Sequence, residues 1–291
     1  MEFKGNIPAI VTPFDEEDGV DQEGLKKNIE FVINHIDGVV PCGTTGESPT
    51  LSYEEHKHVI EMVIDIVDGR VPVIAGTGSN STKEAIELTK HAGDVGADGA
   101  LLIAPYYNKP TQKGIYQHYK AIAENCNLPL VVYNIPSRTG VNIEPSTFEK
   151  LAKLENIVGV KEASGNLGQM MKIIERSDLT LLSGDDNLIL PVLAIGGKGV
   201  ISVAANIIPE AISEMIKAFE RGDLEKAREI NYRYFKLFNS IFLETNPGPI
   251  KEAMNMMGLA AGHVRSPLVN LGDENRERLR GVLVELNLIG D

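Results

Sequence analysis

Tryptophan is absent from the 291 residues, and cysteine occurs only twice, as Cys42 and Cys126. The two thiols are far apart and lack Cys-x-x-Cys spacing, so they read as reduced structural thiols of a cytoplasmic protein. No apolar stretch approaches the roughly 18 residues of a membrane span. The segment "MEFKGNIPAIVTPFDEEDG" has no basic stretch leading into an apolar core, so no secretory signal is expected and the expected location is the cytoplasm. Positive charge is scarce as well: 28 Lys and Arg face 41 Asp and Glu, for a formal charge of −13. An acidic chain without a long basic run suits neither nucleic acid nor an anionic membrane. Chemistry on small molecules, or contact with other proteins, is what these absences leave.

Short apolar runs, by contrast, are plentiful. Eight recur along the chain: "IPAIVT" (7–12), "GVVPCG" (38–43), "VPVIAG" (71–76), "GALLIA" (99–104), "LPLVVY" (128–133), "IVGVK" (157–161), "LTLLSG" (179–184) and "GVISVA" (199–204). They are continuously apolar rather than alternating, the pattern of parallel strands covered on both faces. Helix-period segments fill the intervals. Val59, Met62, Val63 and Ile66 form one apolar stripe, and Ala85, Leu88, Thr89 and Ala92 repeat the spacing, with Ser81 or Thr82 as N-cap. Eight such units predict an α/β fold, a (β/α)₈ barrel over 1–224. A doubly wound open sheet fits less well, because no G-x-G-x-x-G follows the first run. After residue 208 the β-signal stops. "PEAISEMIKAFERGD" opens with Pro209 in a helix-start position, and the segments beyond it continue as helices. Residues 225–291 are therefore expected to be a C-terminal helical region packed on the barrel.

Barrel sites are built at the carboxyl ends of the strands. Here those ends read "GTTGES", "GTGSNS", "PYYNKP", "YNIPSRTG", "KEASGN", "SGDDN" and "SVAAN". Histidine is missing from all of them; the six in the chain are at 35, 56, 58, 91, 118 and 263. His56 and His58, two apart, face different ways on a helix. Neither a metal site nor a Ser–His–Asp triad is expected.

Lys161 is what the strand ends do hold. Ile157, Gly159 and Lys161 share one face of the sixth run, with Val158 and Val160 on the other, which places Lys161 inside the barrel. Desolvation disfavours an ammonium there, and a neutral amine attacks ketones to form a Schiff base. An ion pair with Asp185 or Glu162 serves the same position equally well. Tyr133 ends the neighbouring run, where its phenol can pass protons or simply hydrogen-bond. Thr44 and Thr45 follow Gly43, offering hydroxyls for a carboxylate or a proton relay, or merely a turn. Arg138, just past Tyr133, suits bidentate capture of a carboxylate or, alternatively, lies solvated at the surface. "GGKG" (196–199) precedes the last strand and so reads as a tight turn rather than a phosphate cradle.

Taken together, "GTTGE", "PYYNKP", "YNIPSRTG", "GVKEASGN" and "SGDD", in this order over almost the whole chain, resemble the pyruvate-dependent Schiff-base lyases and synthases that include N-acetylneuraminate lyase. The second threonine of "GTTGE" and the arginine of "YNIPSRTG" are similar to a synthase branch; lyase branches tend to differ at both. The resemblance implies that Lys161 forms an imine with pyruvate. The derived enamine would attack L-aspartate 4-semialdehyde, and cyclisation would give 4-hydroxy-tetrahydrodipicolinate for lysine and diaminopimelate biosynthesis. It implies Tyr133 as proton shuttle, relayed through Thr44 to Tyr107 of a neighbouring subunit. Thr45 would hold the pyruvate carboxylate, Arg138 that of the second substrate, and the backbone at Val203 would line the site. No metal or organic cofactor is implied, and self-association as a dimer or tetramer is. Ser48, His56, Asn80, Glu84 and Tyr106 match a regulatory site for lysine, but Tyr53 stands where lysine-sensitive members often carry histidine, and Pro49 replaces a small residue. The same-family alternative is an aldolase acting on a sugar-derived 2-keto acid; the alternative of another class is a barrel that only binds, its lysine structural.

Overall fold

The computed structural model describes residues 2–290. Seven parallel strands form one curled sheet: β1 (Gly5–Pro8), β2 (Ile74–Gly76), β3 (Gly99–Ile103), β4 (Leu130–Asn134), β5 (Ile157–Glu162), β6 (Thr180–Ser183) and β7 (Gly199–Ser202). Neighbours run β1-β7-β6-β5-β4-β3-β2, so the first strand pairs with the last. The second run, 38–43, closes the remaining gap with only two bridged residues, Val40 against Ala9 and Val39 against Val73. Its main chain still carries a ladder. Val40 N–H donates to Pro8 O and Ile74 N–H donates to Val39 O, both at 2.9 Å. Pro41, which lacks an N–H, and Cys42, with φ +52°, end the strand early. The result is a (β/α)₈ barrel.

Side chains alternate across the wall of this barrel. Ile7, Ile74, Leu101, Val131, Leu182 and Ile201 fill the inside, while Ala100, Leu102, Leu130 and Val132 pack outward against helices. One strand departs from the expected alternation. Leu130 pairs with Ile157 but Val131 pairs with Gly159, so Val158 is an extra residue in β5. Ile157 therefore joins the outer layer and Val158 packs against the inner one, the reverse of the simple two-residue period. Beyond the bulge the period recovers, and Lys161 remains on the inner face.

The expected helices form with their caps. Ser52 caps Tyr53–Val67 in a capping box with Glu55, and Ser81 caps Thr82–Asp94. Helix Pro209–Glu220 starts on proline and buries Ile212, Met215 and Ile216. It shares one apolar cluster with Leu224–Ser240, Gly248–Met256 and Asp273–Glu285, which is how the C-terminal helices attach to the barrel. Lys198 of the "GGKG" turn accepts from Gly5 N–H at 2.8 Å, at the amino end of β1 and away from the site described next. Among the described residues, no helix is long and apolar enough to cross a membrane.

Candidate active site

Strand register brings the two central side chains together. Tyr133 on β4 pairs with Lys161 on β5, and Asn134 pairs with Glu162 one step further on. The second pair faces outward and pins the first. Both carboxylate oxygens of Glu162 accept from Asn134 Nδ2, at 3.2 and 3.0 Å, and Glu162 also accepts from Gln169 Nε2 and Ser164 N–H. Glu162 is thus occupied on the far side of the strand and is not the partner of Lys161. Inward, the Lys161 Nζ lies 4.3 Å from the centre of the Tyr133 ring, and the residue is only 5% exposed. Among the described residues, no carboxylate lies within ion-pair distance of that nitrogen. Gly159 below it leaves little slack, because a Cβ there would sit 3.0 Å from Thr180 O on β6.

The electrostatics follow from this placement. Burial lowers the Lys161 pKa to about 8; Asp185 and Asp186 act against the shift and Arg138 adds to it. Asp185 is itself pushed up to about 6 by burial, with Lys161 opposing. The Tyr133 phenol is raised mainly by burial and stays protonated, while Arg138 and the Thr44 hydroxyl pull it back. An amine that gives up its proton far more readily than an ordinary lysine, beside a protonated phenol, can carry out carbonyl addition with proton transfer.

Tyr133 forms one wall of a cavity of about 430 Å³ that Gly43, Thr44 and Arg138 also line. Lys161 does not line it directly and meets it through the Tyr133 ring. Arg138 sits in the last turn of the short helix Pro136–Thr139, where its Nη2 donates to Asn246 O at 3.0 Å. Thr45 turns behind the cavity wall, its hydroxyl accepting from Asn246 Nδ2 at 3.1 Å. At Val203 the N–H donates to Asp186 Oδ2 at 3.1 Å and the carbonyl accepts from Asn206 Nδ2 at 2.9 Å, so both peptide groups are engaged.

Tyr107 lies elsewhere within the chain. It is 88% exposed, with φ +72°, and is not among the residues that line the cavity with Thr44 and Tyr133. Ser48, His56, Glu84 and Tyr106 line the outer part of the same cavity, together with Pro49 and Tyr53. His56 Nε2 bonds Gly76 O at 2.7 Å, and burial lowers its pKa. The Tyr53 hydroxyl donates to Glu87 at 3.2 Å. Asn80 does not line the cavity; its carbonyl accepts from Asn108 Nδ2 at 2.9 Å and ties two rim loops together. Among the described residues, no group of three or more His, Cys, Asp and Glu side chains is placed to hold a metal ion.

Several residues at the site carried no expectation. Asp186 takes hydrogen bonds from Ser202 Oγ at 2.5 Å and from the N–H groups of Val203 and Ala204 at 3.1 Å. Glu47, the acid of "GTTGE", is wholly buried in a left-handed backbone conformation, φ +53°. Its carboxylate pairs with Lys251 Nζ at 2.5 Å and accepts from Arg265 N–H at 3.0 Å. Asn246 and Lys251 lie some 200 residues from the loop they contact. In sequence, Glu47 stands only as the acid of "GTTGE", and nothing local marked the other two.

A closed parallel barrel with a desolvated, unpaired lysine at a strand's carboxyl end defines the class: a lysine-centred (β/α)₈ barrel. Within that class, the chain belongs to the dihydrodipicolinate synthetase family, whose model matches residues 2–286. It is 56% identical over 289 residues to the 4-hydroxy-tetrahydrodipicolinate synthase of Methanocaldococcus jannaschii, covering 99% of this chain and 100% of that one. Two solved structures are similar throughout. One is a chloride-inhibited dihydrodipicolinate synthase from Acinetobacter baumannii complexed with pyruvate, 46% identical with a TM-score of 0.96, covering 99% of this chain and 100% of that one. The other is the synthase of Cyanidioschyzon merolae with lysine bound, 42% identical with a TM-score of 0.96 and the same coverage.

Proposed function

We propose that this protein is a 4-hydroxy-tetrahydrodipicolinate synthase, condensing pyruvate with L-aspartate 4-semialdehyde. The neutral Lys161 amine adds to the ketone carbon of pyruvate, and loss of water leaves an imine. Removal of a methyl proton gives the enamine. Its terminal carbon bonds to the aldehyde carbon of the second substrate, whose oxygen takes up a proton to become the hydroxyl. The substrate's own amino group then attacks the imine carbon, closing the ring and expelling Lys161 as the free amine. Each proton moves to or from a group beside Tyr133, so a phenol held protonated and backed by Thr44 suits the shuttle.

The observation that carries this reading is Lys161 itself, buried over the Tyr133 ring with no counter-ion within ion-pair distance among the described residues. Thr45 is assigned to the pyruvate carboxylate and Arg138 to that of the semialdehyde, with the Val203 backbone as part of the wall. Tyr107, exposed and held away from its own site, is assigned to the relay of a second copy in a dimer or tetramer. The proposed division of labour gives the chemistry to the barrel, 1–224, and support to the helical region, 225–291, with the cytoplasm as the place of work. The outer cavity wall of Ser48, His56, Glu84 and Tyr106, with Asn80 behind its rim, is the proposed regulatory surface, and titrating the assay with free lysine tests it.

A paired assay tests the function. Purified protein with pyruvate and aspartate 4-semialdehyde is expected to consume both and form the heterocycle. No condensation, alongside release of pyruvate from a sugar-derived 2-keto acid, would reassign it to the aldolases.

A further inference from the structure

Asn246 lies in the connection between helices Leu224–Ser240 and Gly248–Met256, and it is buried. It touches both of the groups assigned to substrate carboxylates. Its side-chain amide donates to the Thr45 hydroxyl at 3.1 Å, and its main-chain carbonyl accepts from the Arg138 guanidinium at 3.0 Å. We infer that Asn246 is a positioning residue that sets the distance and orientation between the two carboxylate-binding groups; this rests on the function proposed above.

Three features favour that role over plain packing. With its oxygen accepting from Asn246, the Thr45 hydroxyl keeps its own proton free to donate to an anion. Arg138 spends one N–H on Asn246 and retains the rest of its fork for a carboxylate, now held at a fixed angle. A second tie lies next to the first in both sequences: Lys251 pairs with Glu47 at 2.5 Å, so residues 246 and 251 grip the loop at 45 and 47. Condensation needs two anionic substrates within bonding reach of each other. Their carboxylates are drawn to separate donors, and one residue that couples those donors fixes the approach.

The test uses the full chain with Asn246→Ala, Thr45→Val and the double substitution. Steady-state kinetics for both substrates, the pyruvate concentration that half-saturates borohydride trapping, and thermal unfolding are measured on each. The expected result for Asn246→Ala is a rise of about tenfold in pyruvate KM and in the half-saturating trapping concentration, the scale of one lost hydrogen bond. Its kcat should fall less, and the double variant should be no worse for pyruvate than Thr45→Val alone. An unchanged KM with only a lower Tm overturns the inference, as do single effects that multiply in the double variant. Should Asn246→Ala fail to fold, Asn246→Ser, which keeps a short polar group, is read by the same ratios. Wild-type protein that condenses normally while these variants keep its KM values refutes the inference alone. Wild-type protein that traps no pyruvate refutes the proposed function and the inference with it.

Discussion

Lys161 and Lys251 are both buried with Nζ over an aromatic ring, 4.3 Å from the centre of Tyr133 and 4.1 Å from that of Phe14. Burial pushes both ammonium groups toward the neutral form. The surroundings then diverge. Lys251 meets Glu47 at 2.5 Å and donates to His263 O at 2.7 Å, and the Arg265 guanidinium stacks on the same Phe14 ring. Glu47 acts to hold the Lys251 charge in place, against the burial. Among the described residues, Lys161 has no such carboxylate within ion-pair distance, and it faces a cavity wall. A buried lysine engaged by a carboxylate and a carbonyl is a structural cation; one with no such partners is available for chemistry. Burial is common to both and decides neither.

The comparison is broken most directly by substituting each lysine in turn. Lys161→Ala should lower condensation by several orders of magnitude, as loss of a covalent nucleophile does, while thermal unfolding shows no loss of stability, because a costly buried amine has been removed. Destabilisation with residual turnover would place Lys161 among the structural cations. Lys251→Met should do the reverse, costing about 3 kcal/mol in urea unfolding by stranding a buried carboxylate. Adding Glu47→Gln to that variant should recover much of the loss. Tyr133→Phe sharpens the contrast from the other side: kcat should fall roughly 100-fold or more, the range for losing a general acid–base group, with imine trapping at Lys161 still detectable.

The smallest effect is on pH. The folded-state pKa of Lys161, about 8, lies below its ordinary 10.5. Below pH 8 the buried amine is protonated and its desolvation cost is fully felt. Between about 8 and 10.5 the unfolded chain holds more protons than the folded one, so stability rises with pH across that window. Lys161→Met should reduce this rise in urea titrations, and Lys251, whose pKa burial also lowers to about 8, accounts for the part that remains. The rate of imine formation in the wild type should climb with pH around a midpoint near 8.

Much of this contrast was legible in the sequence for one lysine and hidden for the other. Lys161 closes an apolar strand next to a strand ending in Tyr133, and both features are local, so strand order alone predicts their meeting. The barrel itself follows from eight apolar runs separated by helix-period segments. Two details did not follow. The bulge at Val158 exchanges the faces of Ile157 and Val158, since register belongs to the pairing with β4 and not to β5 alone. The second run shrinks to two bridges because Pro41 and the left-handed Cys42 end it, although its apolar character matches the others. Lys251 reads in sequence as an ordinary polar position on the helix Gly248–Met256, and Asn246 as part of a loop. Their significance comes from contacts some 200 residues away, which no local pattern encodes. Tyr107 is the opposite case, conspicuous in "PYYNKP" yet placed on the surface of its own chain.

Borohydride reduction in the presence of pyruvate, followed by peptide mass mapping, is the most direct test. The account predicts a single carboxyethyl adduct on the peptide containing Lys161 and none on the peptide containing Lys251. An adduct on Lys251, or none on Lys161 under saturating pyruvate, would contradict it.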